Sequence, residues 1–489
     1  MASSSGSQTT YLSPLDQYMP RVDVRVFLIF ASPSPSDAIK TIQAGLDVLA
    51  SQLPFLKGTV TLPPPSEPVA VHRGRVAITT SPTDTPITLL HIPSSVGTTS
   101  FSELKASGAP ISYFHNTFPQ LLDARRAANP TASGAPVFAA SYALLDEGVV
   151  LGVATHHAVA DGTGVSELIK FWGACTRGEM NISPRGDEVF IRDELLWRGV
   201  GRVQDDTEKR FGDVLKELPE FCVACEVAGT ALSRGQALPK GATALFTFDI
   251  TRLEAARDSL KGKVGDEKAL TTNNVLCAVV WACVTKARLA RKGGSLGAER
   301  SKLGFAVNGR RMLGHKFAEG PYLGNVNLFG VQEVDVEILA DIGSRCHATA
   351  DLSSITPLIE SAYEATRRVT ASHIGQVMTL MDQAEDVRNV VPNWVRSYGP
   401  DLSVTSWANM GLYESDFGAG LGHPEFMRTP YFESDGLIVV LPRKRVAKAA
   451  PPSHDVNTRT GENIEVVAVL CHDDIEVLKK DDVWKSWVA

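Results

Sequence analysis

A two-domain α/β architecture is what this sequence predicts, and three observations carry the prediction. The chain has 489 residues, and at roughly 150 residues per domain that length makes about two or three domains, each able to bury a core. Strand-sized apolar runs alternate with stretches of helical period from one end to the other. Between about 178 and 240 the periodicity fails and charge accumulates (Arg198, Arg202, Asp205, Asp206, Glu208, Lys209, Arg210), which separates two halves of similar layout. The division is a first domain over 1–185, a crossover linker with helical pieces over 186–240, and a second domain over 241–489. No internal repeat at solenoid periods accompanies it.

The first half opens with a strand from Val24 to Ala31, apolar and β-branched, ended by Pro33 and Pro35. From Ser36 to Ser51, Ile39, Ile42, Leu46 and Leu49 fall at helical spacing behind a Ser36 or Asp37 cap. Strands are expected from Val69 to Thr79 and from Pro86 to His91. Val137 to Leu145 and Val149 to Thr155 flank Asp146-Glu147-Gly148 as a hairpin. A helix follows from Gly164 to Cys175, with Val165, Leu168, Ile169 and Trp172 on one face.

The second half starts with a strand from Ala242 to Ile250. Asn274 to Arg291 is an amphipathic helix, carrying Leu276, Val279, Val280, Cys283, Val284 and Ala287. Strands are read at Leu303–Val307, Asn325–Val334, Leu402–Ser406, Leu437–Pro442 and Ile464–Cys471. Helices are read at Val336–Asp351 and Leu358–Ser372, with a short helix closing the chain.

Composition excludes several classes. With 44% hydrophobic and 21% charged residues the chain is neither disordered nor fibrous. Its net charge is −7, from 48 basic and 55 acidic residues, and no stretch gathers Lys and Arg in bulk, so nucleic acid is not an expected partner. No segment approaches the roughly 20 apolar residues of a spanning helix, and the polar N-terminus lacks the apolar core of a secretory signal. Seven scattered cysteines fit a reducing, cytoplasmic setting rather than a disulfide scaffold. Cys222 and Cys225 form a lone C-x-x-C in a helical-looking stretch; with no second pair nearby it reads as packing, and no metal is expected.

One constellation carries chemistry. In Ala154-Thr155-His156-His157-Ala158-Val159-Ala160-Asp161-Gly162-Thr163-Gly164 a hydrophobic strand runs into two histidines, a short turn, an aspartate, two glycines and a helix. A rigid strand handing over to a loop is where catalytic groups are held in place. A neutral His there can take a proton from a hydroxyl as it attacks a carbonyl carbon. Asp161 can orient the turn by pairing with an Arg or with backbone amides, and Gly162 and Gly164 allow tight backbone geometry. A buried, hydrogen-bonded histidine pair closing a strand is the competing account of the same residues. The chain holds its own control: His347 to Asp351 has the same spacing but no glycines after it, and reads as a solvated helix face.

At this point the residues resemble a family. The segment from Phe138 to Cys175 is similar to the H-x-x-x-D-G region of the BAHD acyltransferases, CoA-dependent enzymes of plant and fungal secondary metabolism. Thr405-Ser406-Trp407 through Tyr413-Glu414-Ser415-Asp416-Phe417-Gly418-Ala419-Gly420 resembles their T-S-W … Y-x-x-D-F-G-W-G stretch. Phe305-Ala306-Val307-Asn308-Gly309-Arg310 is similar to V-D-G-R, and Tyr322-Leu323-Gly324-Asn325 to Y-x-G-N. The opening Ser13-Pro14-Leu15-Asp16 and the closing Ile464 to Trp487 agree as well. Two positions depart: Ala419 stands for the family's Trp, as suits fungal members, and Asn308 for its Asp, where a local ion pair would be lost.

The resemblance implies two chloramphenicol-acetyltransferase-like domains, each a mixed β-sheet with flanking helices, and an active-site channel at their interface. It implies acyl transfer in a ternary complex, from acyl-CoA (acetyl-CoA by default) to the hydroxyl, or less readily the amine, of a small secondary metabolite such as a terpenoid, polyketide or alkaloid. His157 would be the general base. Trp407 would offer its indole N–H to the oxyanion, the alternative being a core tryptophan. Asp161 is expected to turn from the pocket and pair with Arg310, and Asp416 to hold a distant loop, with Gly162 and Gly418 as structural positions. No Ser or Cys nucleophile is required. CoA phosphates favour basic residues and helix N-termini, which nominates Lys302 (otherwise a surface charge), Thr271 and Thr272, with Thr405 beside Trp407. A monomer suits two similar halves in one chain. The doubled histidine also matches the condensation domains of peptide synthetases, which use a carrier-bound thioester, and a catalytically silent metabolite-binding homologue is the third reading.

Overall fold

The computed structural model describes residues 7–63, 73–81, 84–97, 99–119, 121, 134–179, 210–224, 239–314, 317, 322–395, 398–418, 420–444 and 463–489. Two mixed sheets organise them. The first has five strands in the order Phe426–Arg428, Asp23–Ala31, Gly148–His156, Phe138–Leu145, Leu90–His91, antiparallel except for the last pair. Its central strand, Gly148–His156, is buried at all nine positions, which explains why it reads as a continuous apolar run rather than an alternation. The second sheet has six strands in the order Gly241–Phe248, Ile464–Cys471, Leu437–Val440, Leu402–Ser406, Arg300–Asn308, Asn327–Asp335. Leu402–Ser406 runs parallel to both its neighbours.

The strands Leu437–Val440 and Ile464–Cys471 of the second sheet are buried on both faces, and their alternating side chains enter different cores. Ile438, Val440, Val466, Ala468 and Leu470 pack with the long helix Thr272–Arg291. Val439, Val467 and Val469 point the other way, into the core built around the first sheet and the helices Pro35–Gln52 and Gly162–Thr176. Alternate residues of two strands thus join the halves.

Phe426–Arg428 adds a second joint, because it comes from the second half of the chain yet pairs in the first sheet with Asp23–Ala31. Arg428 is fully buried. It donates to the carbonyls of Gly108, Ala109 and Met427, all at 2.7 Å, and makes a two-pronged pair with Glu465 of the second sheet at 2.8 Å. A guanidinium, with five N–H donors in a rigid fork, suits such a junction.

Several expectations need correction. The helix expected over Val336–Asp351 ends at Arg345, so His347 to Asp351 forms a turn. Asp351 there accepts from Lys263 and Ser353. The helix expected over Leu358–Ser372 is two, Thr356–Arg367 and Ala371–Gln383, since the Thr370 hydroxyl caps a new helix at His373 N. The strand expected over Pro86–His91 shrinks to Leu90–His91, and of Val69–Thr79 the described part is strand from Ala77. Within the expected linker, the described stretch 210–224 holds a helix, Phe211–Glu217, and a strand, Phe221–Val223, paired with Val390–Pro392. Cys222 is buried on that strand rather than on a helix, while Cys225 and Ala419 lie outside the described residues. Also unforeseen were the short strand Gln8–Tyr11 and the helix Pro14–Gln17.

Replacing Arg428 by Ala strands Glu465 and three carbonyls at the joint between sheets. Equilibrium denaturation is expected to show a loss of about 3–5 kcal/mol, the cost of breaking a buried pair from one side.

Candidate active site

The site begins where the central strand of the first sheet ends. His156 is the last residue of Gly148–His156, opposite Asp23, and the ladder continues one bond further as His157 N donates to Val22 O at 2.8 Å. The chain then turns, Val159 N to His156 O at 2.8 Å, and Asp161 caps the helix Gly162–Thr176 by accepting from Gly164 N at 2.9 Å. The two glycines are needed for space rather than for a left-handed backbone. A Cβ on Gly164 would lie 2.1 Å from Leu323 O, and one on Gly162 would lie 2.5 Å from Met410 Cε.

Asp161 is buried and faces away from the imidazole of His157, into the junction between the halves. Its Oδ1 and Oδ2 accept from Arg310 Nη2 and Nη1, both at 2.9 Å, and Val326 N donates to Oδ2 at 3.0 Å. Burial pushes this carboxyl up, but the Arg310 charge and the donated hydrogen bonds outweigh it and hold it below the ordinary value. Arg310 also donates to Gly324 O at 2.7 Å and Tyr322 O at 3.3 Å. Asn308 keeps a place in this network without a charge: its Oδ1 accepts from Arg310 N at 3.0 Å and Nη1 at 3.3 Å, and its Nδ2 reaches Thr163 Oγ1 at 3.3 Å.

The two histidines separate. His156 is fully buried; its Nδ1 accepts from Ala158 N at 3.2 Å, and burial, with the nearby Arg21 charge, lowers it to about 3. It is therefore a neutral core residue at physiological pH. His157 is only partly buried. Its Nδ1 is buried with no hydrogen-bond partner among the described residues, and Nε2 is the ring nitrogen left accessible. Burial lowers the imidazole from 6.5, partly offset by its own carbonyl and by Asp161, so at neutral pH the ring is a free base.

Trp407 follows the strand Leu402–Ser406, and its N donates to Val440 O at 2.8 Å. Its ring is partly buried and packs against the core of the first half. The indole Nε1 lies 3.3 Å from where a Gly162 Cβ would sit and donates to none of the described residues, so this N–H faces the start of the helix after His157. Thr405 is partly buried in the same strand, paired with Val439.

Other nominated residues lie elsewhere. Lys302 is at the opposite end of Arg300–Asn308 from Asn308, about 20 Å away at the rise of a strand. Its Nζ is held by Asn393 O and Oδ1 at 3.0 and 3.1 Å, which removes it from an open phosphate site. Thr271 is exposed and caps Thr272–Arg291 by accepting from Asn274 N at 3.1 Å, and Thr272 is the first residue of that helix. Asp416 packs at the far end of the helix Gly162–Thr176, where its carbonyl accepts from Arg177 and its carboxylate from Gly418 N at 2.9 Å. Gly418 has φ +88°, a conformation that favours glycine. The buried Asp435, Cys471 and Asp474 cluster together, but Arg288 and Arg291 already pair with its carboxylates.

Sequence reasoning assigned no role to two residues that the structure places beside the His157 backbone. Asn325 Nδ2 donates to His157 O at 2.9 Å and to Asp16 Oδ1 at 2.7 Å, and Asp16 Oδ2 accepts from Ser13 N and Oγ at 2.9 and 2.7 Å. Their only signal was membership in Ser13–Asp16 and Tyr322–Asn325.

The fold and site define a two-sheet transferase with an open histidine where its halves meet. The chain belongs to the Transferase family, whose model matches residues 100–482. A model described as a trichothecene 3-O-acetyltransferase-like N-terminal domain matches residues 24–175. Among curated relatives, trichothecene 8-O-acetyltransferase of Fusarium sporotrichioides is 27% identical, covering 99% of this chain and 98% of its own. Fumigaclavine B O-acetyltransferase of Aspergillus fumigatus is 24% identical, with 94% of each chain covered. The same fold is seen in the F. sporotrichioides TRI101 structure complexed with coenzyme A and T-2, with a TM-score of 0.75 at 20% identity over 98% of this chain and 99% of that one. Vinorine synthase shares it more distantly, with a TM-score of 0.56 at 15% identity over 98% of both chains.

Asp161→Asn is expected to lower the melting temperature and to cost about 3–5 kcal/mol, as for a buried pair broken from one side. Because the folded carboxyl titrates below its ordinary 3.8, the wild type keeps this contribution at neutral pH and loses it only as pH falls through the lowered value. Stability curves of the two proteins should therefore converge in acid. Gaps that stay equal from neutral pH into strong acid would contradict the assignment.

Proposed function

We propose that the chain is an O-acyltransferase that moves an acyl group, acetyl by default, from acyl-CoA to a hydroxyl of a small secondary metabolite. One observation carries this reading: a neutral imidazole at a strand end, its Nδ1 turned inward and its Nε2 open. Nε2 takes the proton from the acceptor O–H as that oxygen attacks the thioester carbonyl. The tetrahedral intermediate then collapses, the C–S bond breaks, and the proton on Nε2 passes to the leaving thiolate. Trp407 Nε1 is the donor we assign to the oxyanion, since it is unoccupied and faces the start of the helix that follows His157. Gly162, where a Cβ would lie 2.5 Å from Met410 Cε and 3.3 Å from that indole nitrogen, is assigned to the close packing of the turn. Asp161, Arg310, Asp416 and Gly418 belong to the scaffold. No protein nucleophile or metal enters the scheme.

The relatives named for O-acetyl transfer on a trichothecene and on fumigaclavine B support a hydroxyl of a small secondary metabolite as acceptor. Against the condensation-domain reading of the doubled histidine stand the family model over residues 100–482 and the relatives named as O-acetyltransferases over nearly the whole chain. The division into domains at 1–185 and 241–489 and a monomeric state remain part of this proposal, the division supported by a core around Thr272–Arg291 that is drawn entirely from residues after 241. So does a cytoplasmic setting, supported by the six described cysteines being free thiols. No helix among the described residues is long and apolar enough to cross a membrane.

The test is incubation with acetyl-CoA and a panel of polycyclic alcohols, reading acylated product by mass spectrometry and free CoA by thiol titration. His157→Ala is expected to retain its circular dichroism spectrum and lose about 10²–10⁴-fold in kcat, the usual worth of a general base. Wild-type turnover in that variant would end the assignment. Trp407→Phe removes one N–H and keeps the ring; a loss of about 10²–10³-fold in kcat is expected for an oxyanion donor, against little change for a packing residue.

A further inference from the structure

We infer that Met410 closes the acyl end of the site: its thioether side chain is the wall that limits the transferred group to a short acyl chain. This rests on the acyltransfer reading with Trp407 as oxyanion donor, and adds to it the residue that selects the donor.

Exposure along the turn after the central strand singles out a few positions. From Thr155 to Ser166 every residue is buried except His157, Gly162 and Thr163. Gly162 marks where the second half of the chain meets this accessible stretch. A Cβ on it would lie 2.5 Å from Met410 Cε, 3.2 Å from Met410 Sδ and 3.3 Å from Trp407 Nε1. The thioether and the indole N–H therefore border one and the same point, at the part of the turn left open to solvent.

Met410 is not spent on a core. It is half-buried, yet among the described residues it neither lies in a hydrophobic cluster nor packs against one. Its neighbours differ: Trp407 packs against the core of the first half, and Leu412 lies within it. A flexible, polarisable thioether suits an irregular boundary that a rigid side chain would fit poorly. The backbone of Met410 is fixed independently of that side chain. Its N donates to Trp407 O at 2.9 Å, and its carbonyl accepts from the buried Ser166 Oγ at 2.5 Å. Shortening the side chain therefore leaves the loop in place.

Geometry at the thioester decides what the thioether meets. A carbonyl oxygen accepting from Trp407 Nε1 sits about 2.9 Å from it, with the carbonyl carbon about 1.2 Å beyond. The acceptor attacks that carbon from above the carbonyl plane, on the side from which its hydroxyl reaches His157 Nε2. The groups that flank the oxygen within the plane belong to the thioester itself. One is the sulfur, whose long arm has to lead outward; the other is the acyl carbon, whose chain ends inside. A single side chain beside the oxyanion donor sets a length limit only on the chain that ends there. An acetyl methyl fits against the thioether, and each added methylene has to displace it.

The experiment measures kcat/KM for acetyl-, butanoyl- and hexanoyl-CoA with an alcohol that the wild type acetylates. The wild type is expected to favour acetyl-CoA. Met410→Ala removes the sulfur and the carbons on either side of it, and should raise the butanoyl-to-acetyl ratio about 10–200-fold, the worth of a methylene in an apolar pocket. Met410→Leu, of similar volume, should keep the wild-type profile, and KM for the alcohol should not move in either variant. An unchanged chain-length profile in Met410→Ala overturns the inference, as does equal use of hexanoyl- and acetyl-CoA by the wild type. A uniform rise in KM for all three donors would put Met410 on the CoA arm, and an altered alcohol preference with the donor profile unmoved would put it against the acceptor; either result overturns it. Wild-type kcat in Trp407→Phe would instead remove the oxyanion donor, a failure of the underlying reading that the chain-length profile does not share. No transfer from any acyl-CoA by the wild type would end both.

Discussion

The buried pair between Asp161 and Arg310 is the constraint on which the site depends. It joins the helix start that follows His157 to the end of a strand in the other half, and it takes up nearly all the bonding capacity of both groups. Two charges out of water are tolerated only when most of their donors and acceptors are paired in this way. The geometry of the pair therefore dictates where the turn at 157–161 can lie. Through Gly164, packed against Leu323 O, it also dictates how closely Tyr322–Asn325 can approach. Asn325 reaches His157 because Arg310 has already drawn that segment in by its Tyr322 and Gly324 carbonyls.

A division of labour among similar residues follows from burial. His156 and His157 are neighbours in sequence, yet one is sealed in the core and the other has an open Nε2. Alternation along an extended chain sends consecutive side chains to opposite sides, so of the two histidines at this strand end one enters the core and the other keeps an accessible Nε2. Asp161 and Asp416 likewise both cap backbone amides, but only Asp161 lies in the turn that follows His157. With Asp161 neutralised by Arg310, burial dominates at His157 and keeps the imidazole a free base.

Elements with strong local signals were legible in the sequence. The hairpin around Asp146–Gly148, the helix at 272–291 and the strands at 402–406 and 464–471 have periodicity that does not depend on distant partners. Failures came where a local rule was overruled. The break between Thr356–Arg367 and Ala371–Gln383 depends on one hydroxyl cap at Thr370, which a run of helical spacing hides. Phe426–Arg428 is only three residues long and pairs with a strand about four hundred residues away in sequence, so no window of local pattern reveals it. Lys302 was nominated as a basic residue opening the strand that leads to Arg310, and it is occupied because Asn393 holds its Nζ.

By itself, the sequence determined the strand-to-helix passage at 154–164, since it rests on local hydrophobic period and short-range turn chemistry, while the two-sheet plan and His157 as the proposed base came from the resemblance of its motifs to a family. Only the tertiary structure decided which histidine keeps an accessible ring nitrogen, that Asp161 is spent on Arg310, and that Asn325 joins the His157 carbonyl to Asp16. Those contacts join residues 149, 168 and 309 positions apart. Their existence depends on two sheets closing against each other, and no property of a short segment encodes the distance between two that meet only when the whole chain is packed.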